Sequence, residues 1–229
     1  MGRAIEIVVL EDAADACARA AAVIGAACRS AIAERGSSEL ALSGGAGPLP
    51  MFARLADEDV DWDRTTIWQV DERVAPDGDA DRNLTGARAH LPEAAAARIR
   101  PMPVTDDDLD AAAGHYADAL PGAFDVIHLG LGADGHTASL VPGDPVLDVT
   151  DRDVAVTGVY EGRRRMTLTY PALGRARFVV WLVTGSGKNE ALERLMSRDV
   201  AIPGSRVRAG RQLVVADRQA ARLVVPDAG

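Results

Sequence analysis

Nine apolar runs recur along this chain, each closed by a turn signal, and few folds can bury them all. They are IEIVVL (5–10), ELALSG (39–44), TTIWQVDE (65–72), RIRPMP (98–103), FDVIHLGLG (124–132), VAVTGV (154–159), MTLTY (166–170), FVVWLVTG (178–185) and RQLVVAD (211–217). Several lack the polar alternation of a half-exposed strand, as expected of strands covered on both faces. Helical patterns fall between them, clearest at 12–35, 49–57, 106–120 and 188–198. The alternation predicts an α/β fold with a mostly parallel sheet and helices on both faces. No internal repeat or low-complexity linker divides the 229 residues, so one domain over 1–229 is expected, with APDGDADRN (75–83) as a loop.

In a Rossmann-like sheet of this kind, ligands gather at the carboxyl ends of the strands. The residues just after each strand therefore carry the functional information. SGGAGPLP (43–50) leads from a strand into a helix. Its glycines let backbone N–H groups face an anion at a helix start, although a plain tight turn reads equally well. VDERVAP (70–76) ends a strand with Asp71, Glu72 and Arg73. Arg73 has the planar fork that pairs with phosphate, and the two acids suit orientation or sugar hydroxyls. Alone, this is the pattern of a solvated strand end.

GLGADGHTASLVPG (130–143) contains Gly130, Gly132 and Gly135 at the spacing of a dinucleotide fingerprint. Pro142, Gly143 and Pro145 cut off the long helix that fingerprint requires, which excludes it. What remains is a tight loop presenting Asp134 and His136. Histidine suits general acid–base work near neutral pH, with Asp134 to orient it or hold a ligand. The other three histidines read as helix surface (His90, His115) or strand interior (His128).

TGSGKNE (184–190) holds Lys188, the one lysine beside 24 arginines. A nucleotide loop would need Gly at 182 and a hydroxyl at 189, where Leu182 and Asn189 stand. A simple phosphate contact by Lys188 survives that test. Arg163, Arg164 and Arg165 form the densest basic patch, either lining an anionic site or balancing nearby acids.

The net charge of −9 disfavours nucleic acid and anionic membranes as partners. Cys17 and Cys28 lie eleven apart in one helical stretch, about 16 Å at the rise of a helix, too far for a disulfide. They predict buried thiols in a reducing cytoplasm. With no signal-peptide pattern and no apolar run approaching 18 residues, export and membrane spanning are not expected. The scattered cysteines and histidines lack metal-ligand spacing, so neither metal nor cofactor is expected.

Taken together, LALSGGAGP, DERVAP followed by Asn83, GLGADGHTASLVPG, RMTLTYPAL, LVTGSGK and ADRQAA (216–221) resemble the glucosamine-6-phosphate isomerase/6-phosphogluconolactonase family, in its lactonase branch. The resemblance runs nearly end to end. The deaminase branch carries a glutamate five residues after the histidine, where this chain has Val141. The family's lactonase loop commonly has hydroxyl residues where this chain has Ala46 and Gly47, and serine where it has Arg82, a possible replacement charge.

The resemblance implies hydrolysis of a phosphorylated sugar lactone, 6-phospho-D-glucono-1,5-lactone, by a monomer or small homo-oligomer. His136 would be general base, with Asp134 holding or polarising the site. Ser43, Gly44, Gly45, Asp71, Arg73, Asn83, Arg165 and Lys188 would bind the substrate. A sugar-phosphate isomerase or deaminase, and a non-catalytic sugar-phosphate sensor, are the alternative functions.

Overall fold

A computed structural model describes residues 4–225. All nine apolar runs contribute strand: β1 (Glu6–Leu10), β2 (Ser38–Leu42), β3 (Thr65–Gln69), β4 (Asp71–Arg73), β5 (Ile99–Arg100), β6 (Val126–Gly130), β7 (Val154–Val156), β8 (Arg165–Leu168), β9 (Phe178–Val183) and β10 (Arg211–Asp217). Seven of them pair in parallel in the order β1-β10-β9-β6-β2-β3-β5. The mostly parallel sheet expected from the sequence is therefore present.

The helices are α1 (Ala13–Arg35), α2 (Leu49–Arg54), α3 (Asn83–His90), α4 (Glu93–Ala96), α5 (Leu109–Ala119), α6 (Tyr170–Gly174), α7 (Asn189–Met196) and α8 (Arg218–Ala221). Two apolar cores explain why the strands read as continuous apolar runs. Along β9, Val179, Trp181 and Val183 enter the core beneath α5 and α7, while Val180 and Leu182 enter the core beneath α1 and α2. Side chains alternate faces along a strand, so both faces must be apolar.

Helix α1 starts where Asp12 accepts a hydrogen bond from Asp15 N at 2.9 Å, and ends at Gly36 in the left-handed region. Its 23 residues have the length and mean hydropathy (1.3) to cross a membrane. Here Ala16, Ala20, Ile24, Cys28 and Ala31 bury that apolar face in the second core. Cys17 and Cys28 are free and buried as expected, and burial pushes the Cys28 thiol up to about 11.

Three expectations need correction. The run at 65–72 is two strands, not one. Val70 N donates to Leu42 O at 3.0 Å, while Val70 O accepts from Leu168 N at 2.8 Å. The chain thus leaves the main sheet at Val70, and β4, β8 and β7 form a separate antiparallel sheet. The segment at 75–83 ends inside a helix, because Asn83 opens α3. The helical pattern at 188–198 begins as a 3-10 turn over Ser186–Lys188 before α7 proper.

Candidate active site

Strands β2 and β6 are neighbours, yet the chain leaves β2 toward β3 and leaves β6 toward β9. Their carboxyl ends form the switch-point crevice in which ligands of such sheets bind. A cleft of about 240 Å³ opens there. The loops after β2, β6 and β9 and the strand β4 line it with Ser43, Arg73, Gly132, His136 and Lys188 among others.

The loop after β6 is built around its histidine. Gly132 N donates to His136 O at 2.8 Å and Gly135 N to Gly132 O at 3.0 Å, closing a tight turn. Asp134 Oδ1 accepts both the His136 backbone N–H at 3.1 Å and the ring at Nδ1, 2.6 Å away. Burial pushes the Asp134 carboxyl up, but the His136 backbone N–H and the imidazole outweigh it and hold the carboxyl below its ordinary range. An ionised carboxylate only accepts, so Nδ1 carries the proton. That leaves Nε2, with its lone pair, as the nitrogen available to the cleft. The ring lies so close over Gly132 that a Cβ there would overlap His136 Nδ1 and Asp134 Oδ1. Gly132→Ala is therefore expected to displace the imidazole and lower kcat roughly 10- to 100-fold in a steady-state assay. Wild-type kcat in that variant would show that the ring position is not critical.

The other side of the cleft is rich in donors. Among the described residues, the backbone N–H groups at positions 44–47 donate no hydrogen bond. Gly45 sits at φ 97, a left-handed conformation that a side chain would strain. Gly44 packs directly on Asn83, where a Cβ would clash. Asn83 in turn holds Arg73: its Oδ1 accepts from Arg73 NH1 at 2.7 Å, and its Nδ2 donates to Asp71 O at 2.9 Å. Lys188 enters from the 3-10 turn after β9. That turn is anchored by Asp217, whose carboxylate accepts from Gly185 N at 3.0 Å and caps α8 through Ala220 N at 2.8 Å.

Asp71 is a buried carboxyl in this wall. Burial pushes it above its ordinary range, against the pull of Ser139, Arg73 and Arg165. Ser139 Oγ donates to Asp71 Oδ2 at 2.6 Å. Arg165 is also nearly buried, with NH2 3.0 Å from Glu161 Oε2.

Nine of the ten residues singled out from the sequence thus line one cleft: Ser43, Gly44, Gly45, Asp71, Arg73, Asn83, His136, Arg165 and Lys188. Asp134 does not line it and stands behind His136. The triple arginine divides. Arg165 reaches the cleft, whereas Arg163 pairs with Asp79 and Asp81 at 3.1 and 2.8 Å. Arg82 is not a replacement charge for the anion loop. It is buried against Glu72 at 3.1 Å and outside the cleft lining. His128 is the buried strand residue expected, lowered to about 4 by burial and thus neutral near pH 7. The sequence reading missed Tyr160, Ser139 and the anchoring role of Asp217. Ser139 and Asp217 lie inside the motifs HTASL and ADRQAA; Tyr160 carries no motif signal. Among the described residues, no group of three or more His, Cys, Asp or Glu is placed to hold a metal ion.

Against known families, residues 11–216 match the model of glucosamine-6-phosphate isomerases/6-phosphogluconolactonase. The chain belongs to this family. A 6-phosphogluconolactonase of Synechocystis is 40% identical over 183 residues, covering 73% of this chain and 75% of that protein. The crystal structure of a 6-phosphogluconolactonase from Shewanella baltica superposes with a TM-score of 0.84 at 25% identity, over 95% of this chain and 98% of that one. A monomeric glucosamine-6-phosphate deaminase superposes almost as well, at 0.82 and 20% identity, covering 96% of this chain and all of that one. Both branches of the family thus share this fold, and side chains in the cleft must distinguish them.

Proposed function

We infer that this chain hydrolyses 6-phospho-D-glucono-1,5-lactone to 6-phosphogluconate, a step of the oxidative pentose phosphate pathway. The relative at 40% identity is a lactonase. The observation that carries the chemistry is the Asp134–His136 pair, 2.6 Å apart, at the edge of a cleft lined with anion donors. Val141 supports the lactonase branch over the deaminase branch. It is a buried apolar residue five positions after His136 and has no proton to relay. An isomerising deaminase must move protons between neighbouring carbons, whereas a lactonase needs only water activation and leaving-group protonation.

His136 Nε2 takes a proton from water as the oxygen attacks the lactone carbonyl. Backbone N–H groups of the cleft that are not bonded within the protein stabilise the tetrahedral oxyanion. The imidazolium then returns the proton to the ring oxygen as the C–O bond breaks, giving the free acid and hydroxyl. Asp134 holds the tautomer and stabilises the imidazolium. Ser43, the N–H groups of Gly44 and Gly45, Arg73 and Lys188 cradle the phosphate, with Arg165 at the same wall. Asp71 and Asn83 face the sugar hydroxyls. The two free, buried cysteines support a cytoplasmic setting.

Lys188→Ala tests the phosphate cradle. Loss of a charged hydrogen bond is expected to raise KM for the phosphorylated lactone by roughly tenfold or more, with little change in kcat. An unchanged KM would remove Lys188 from the phosphate site. The branch itself is tested by measuring lactone hydrolysis, corrected for spontaneous opening, beside ammonia release from glucosamine 6-phosphate. Ammonia release without lactone turnover would overturn the lactonase reading. Binding of 6-phosphogluconate with neither activity would mark a sensor.

A further inference from the structure

His136 is braced by a residue that does not itself line the cleft. The Tyr160 ring meets the imidazole edge-to-face, with centroids 5.6 Å apart and planes at 65°. The guanidinium of Arg165 lies 4.9 Å from the centre of the same phenol ring. One aromatic side chain therefore touches both the proposed base and a cation of the cleft wall.

The backbone around Tyr160 is built to hold it there. Tyr160 and Arg163 exchange backbone hydrogen bonds of 3.0 and 3.3 Å. Between them Glu161 and Gly162 both adopt left-handed φ values, 50 and 80, as a tight two-residue hairpin turn requires. Arg163 ties this hairpin to the loop before α3 through Asp79 and Asp81. That loop is held from the cleft side by Arg73, whose NH1 donates to Asp81 O at 2.7 Å. Glu161, next to Tyr160, pairs with Arg165.

Asp134 restrains the imidazole at one atom only. A ring pinned at Nδ1 can still rock about that hydrogen bond, carrying Nε2 away from the attacking water. Gly132 closes the space beneath the ring, and the Tyr160 ring closes another side. We propose that Tyr160 is a positioning residue for the hydrolysis: its ring holds the His136 imidazole with Nε2 toward the cleft and seats the Arg165 guanidinium at the cleft wall. The proposal rests on the hydrolase reading of the cleft. Burial first, then the Asp134 and Glu161 carboxylates, push the phenol above its ordinary range, and its hydroxyl also bonds Asp134. The contacts with His136 and Arg165 are made by the ring, so phenylalanine should replace it.

The test compares Tyr160→Leu and Tyr160→Phe in the full chain, with lactone hydrolysis corrected for spontaneous opening. Tyr160→Leu is expected to lower kcat roughly tenfold, since a misplaced base costs rate steeply, and to raise KM severalfold as Arg165 loses its platform. Tyr160→Phe should stay within about threefold of wild type in both. The His136 ring resonances in NMR spectra should move in the Leu variant and stay in place in the Phe variant, before any substrate is added. If Tyr160→Leu unfolds, Tyr160→Met at the same position gives the same readouts. Wild-type kcat and unmoved His136 resonances in a folded Leu or Met variant overturn the proposal. So does a Phe variant as impaired as Leu, which would assign the effect to the hydroxyl. His136→Ala, run beside them, separates the two levels. If it keeps wild-type kcat, His136 is not the base, whereas absence of lactone turnover by the wild-type chain fails the hydrolytic reading; if His136→Ala alone loses activity, only the role of Tyr160 fails.

Discussion

Replacing His136 with alanine is expected to lower kcat for the phosphorylated lactone by at least about a hundredfold, with the fold intact. Proton transfer by one well-placed side chain supplies roughly 10²–10⁴-fold, and the other imidazole lining the cleft, His128, is buried within β6. The ionised Asp134 carboxylate, 2.6 Å from Nδ1, makes Nε2 the basic nitrogen. Asp71 also lies in the cleft, but both of its carboxylate oxygens already accept hydrogen bonds, from Ser139 and Asn83. The His136 side chain is about a quarter exposed, with a hydrogen bond to Asp134 and a ring contact to Tyr160. Thermal unfolding should therefore change little while kcat collapses. The assay must subtract spontaneous lactone opening, because that background sets the floor of the measurement. A variant that retains near-wild-type kcat would remove the proposed base.

The second large effect is on stability. Glu72 is fully buried one residue beyond Asp71, and it organises the whole approach to the cleft. Its Oε1 accepts from Asn83 N at 2.7 Å and Arg73 N at 2.8 Å. Its Oε2 accepts from Leu84 N and Gln69 Nε2, both at 2.9 Å, and lies 3.1 Å from Arg82 Nε. The Arg82 side chain is 2% exposed. Glu72→Ala removes one of the two carboxylates on that buried guanidinium, leaving Asp77 at 3.0 Å from NH1, and uncaps α3 at the same stroke. Breaking a buried ion pair by removing one partner costs about 3–5 kcal/mol, and a lost helix cap adds about 1 kcal/mol. Urea unfolding is expected to show a loss of at least about 3 kcal/mol. A loss below about 1 kcal/mol would mean that water replaces the carboxylate, and that Glu72 is not the anchor its contacts indicate.

These two acids show where sequence reading stops. Asp71 and Glu72 are adjacent in one strand end and looked equally available for a ligand. The structure sends Asp71 into the cleft and Glu72 into the body of the protein, because neighbours on a strand point to opposite faces. The α3 start was illegible for the same reason. Its cap is Glu72, eleven residues upstream of Asn83 and brought there by the chain's departure from the main sheet at Val70. A local window holds no trace of a cap supplied from so far away.

Continuous apolar runs were enough to determine a two-sided parallel sheet, since only burial on both faces accommodates them. The glycine loop after β2 was legible as a source of unbonded N–H groups at the cleft, and the missing Gly and hydroxyl around Lys188 excluded a nucleotide loop. Asp134 and His136 were legible because two residues of tight turn bring them into contact locally. Which arginine faces the cleft was decided only in three dimensions. Arg163, Arg165 and Arg82 carry the same charge, but their roles depend on carboxylates at Asp79, Asp81, Glu161 and Glu72 that the fold delivers to them. Tyr160 belongs to the same class: it meets His136 from 24 positions along the chain, and only the hairpin before β8 brings the two rings together.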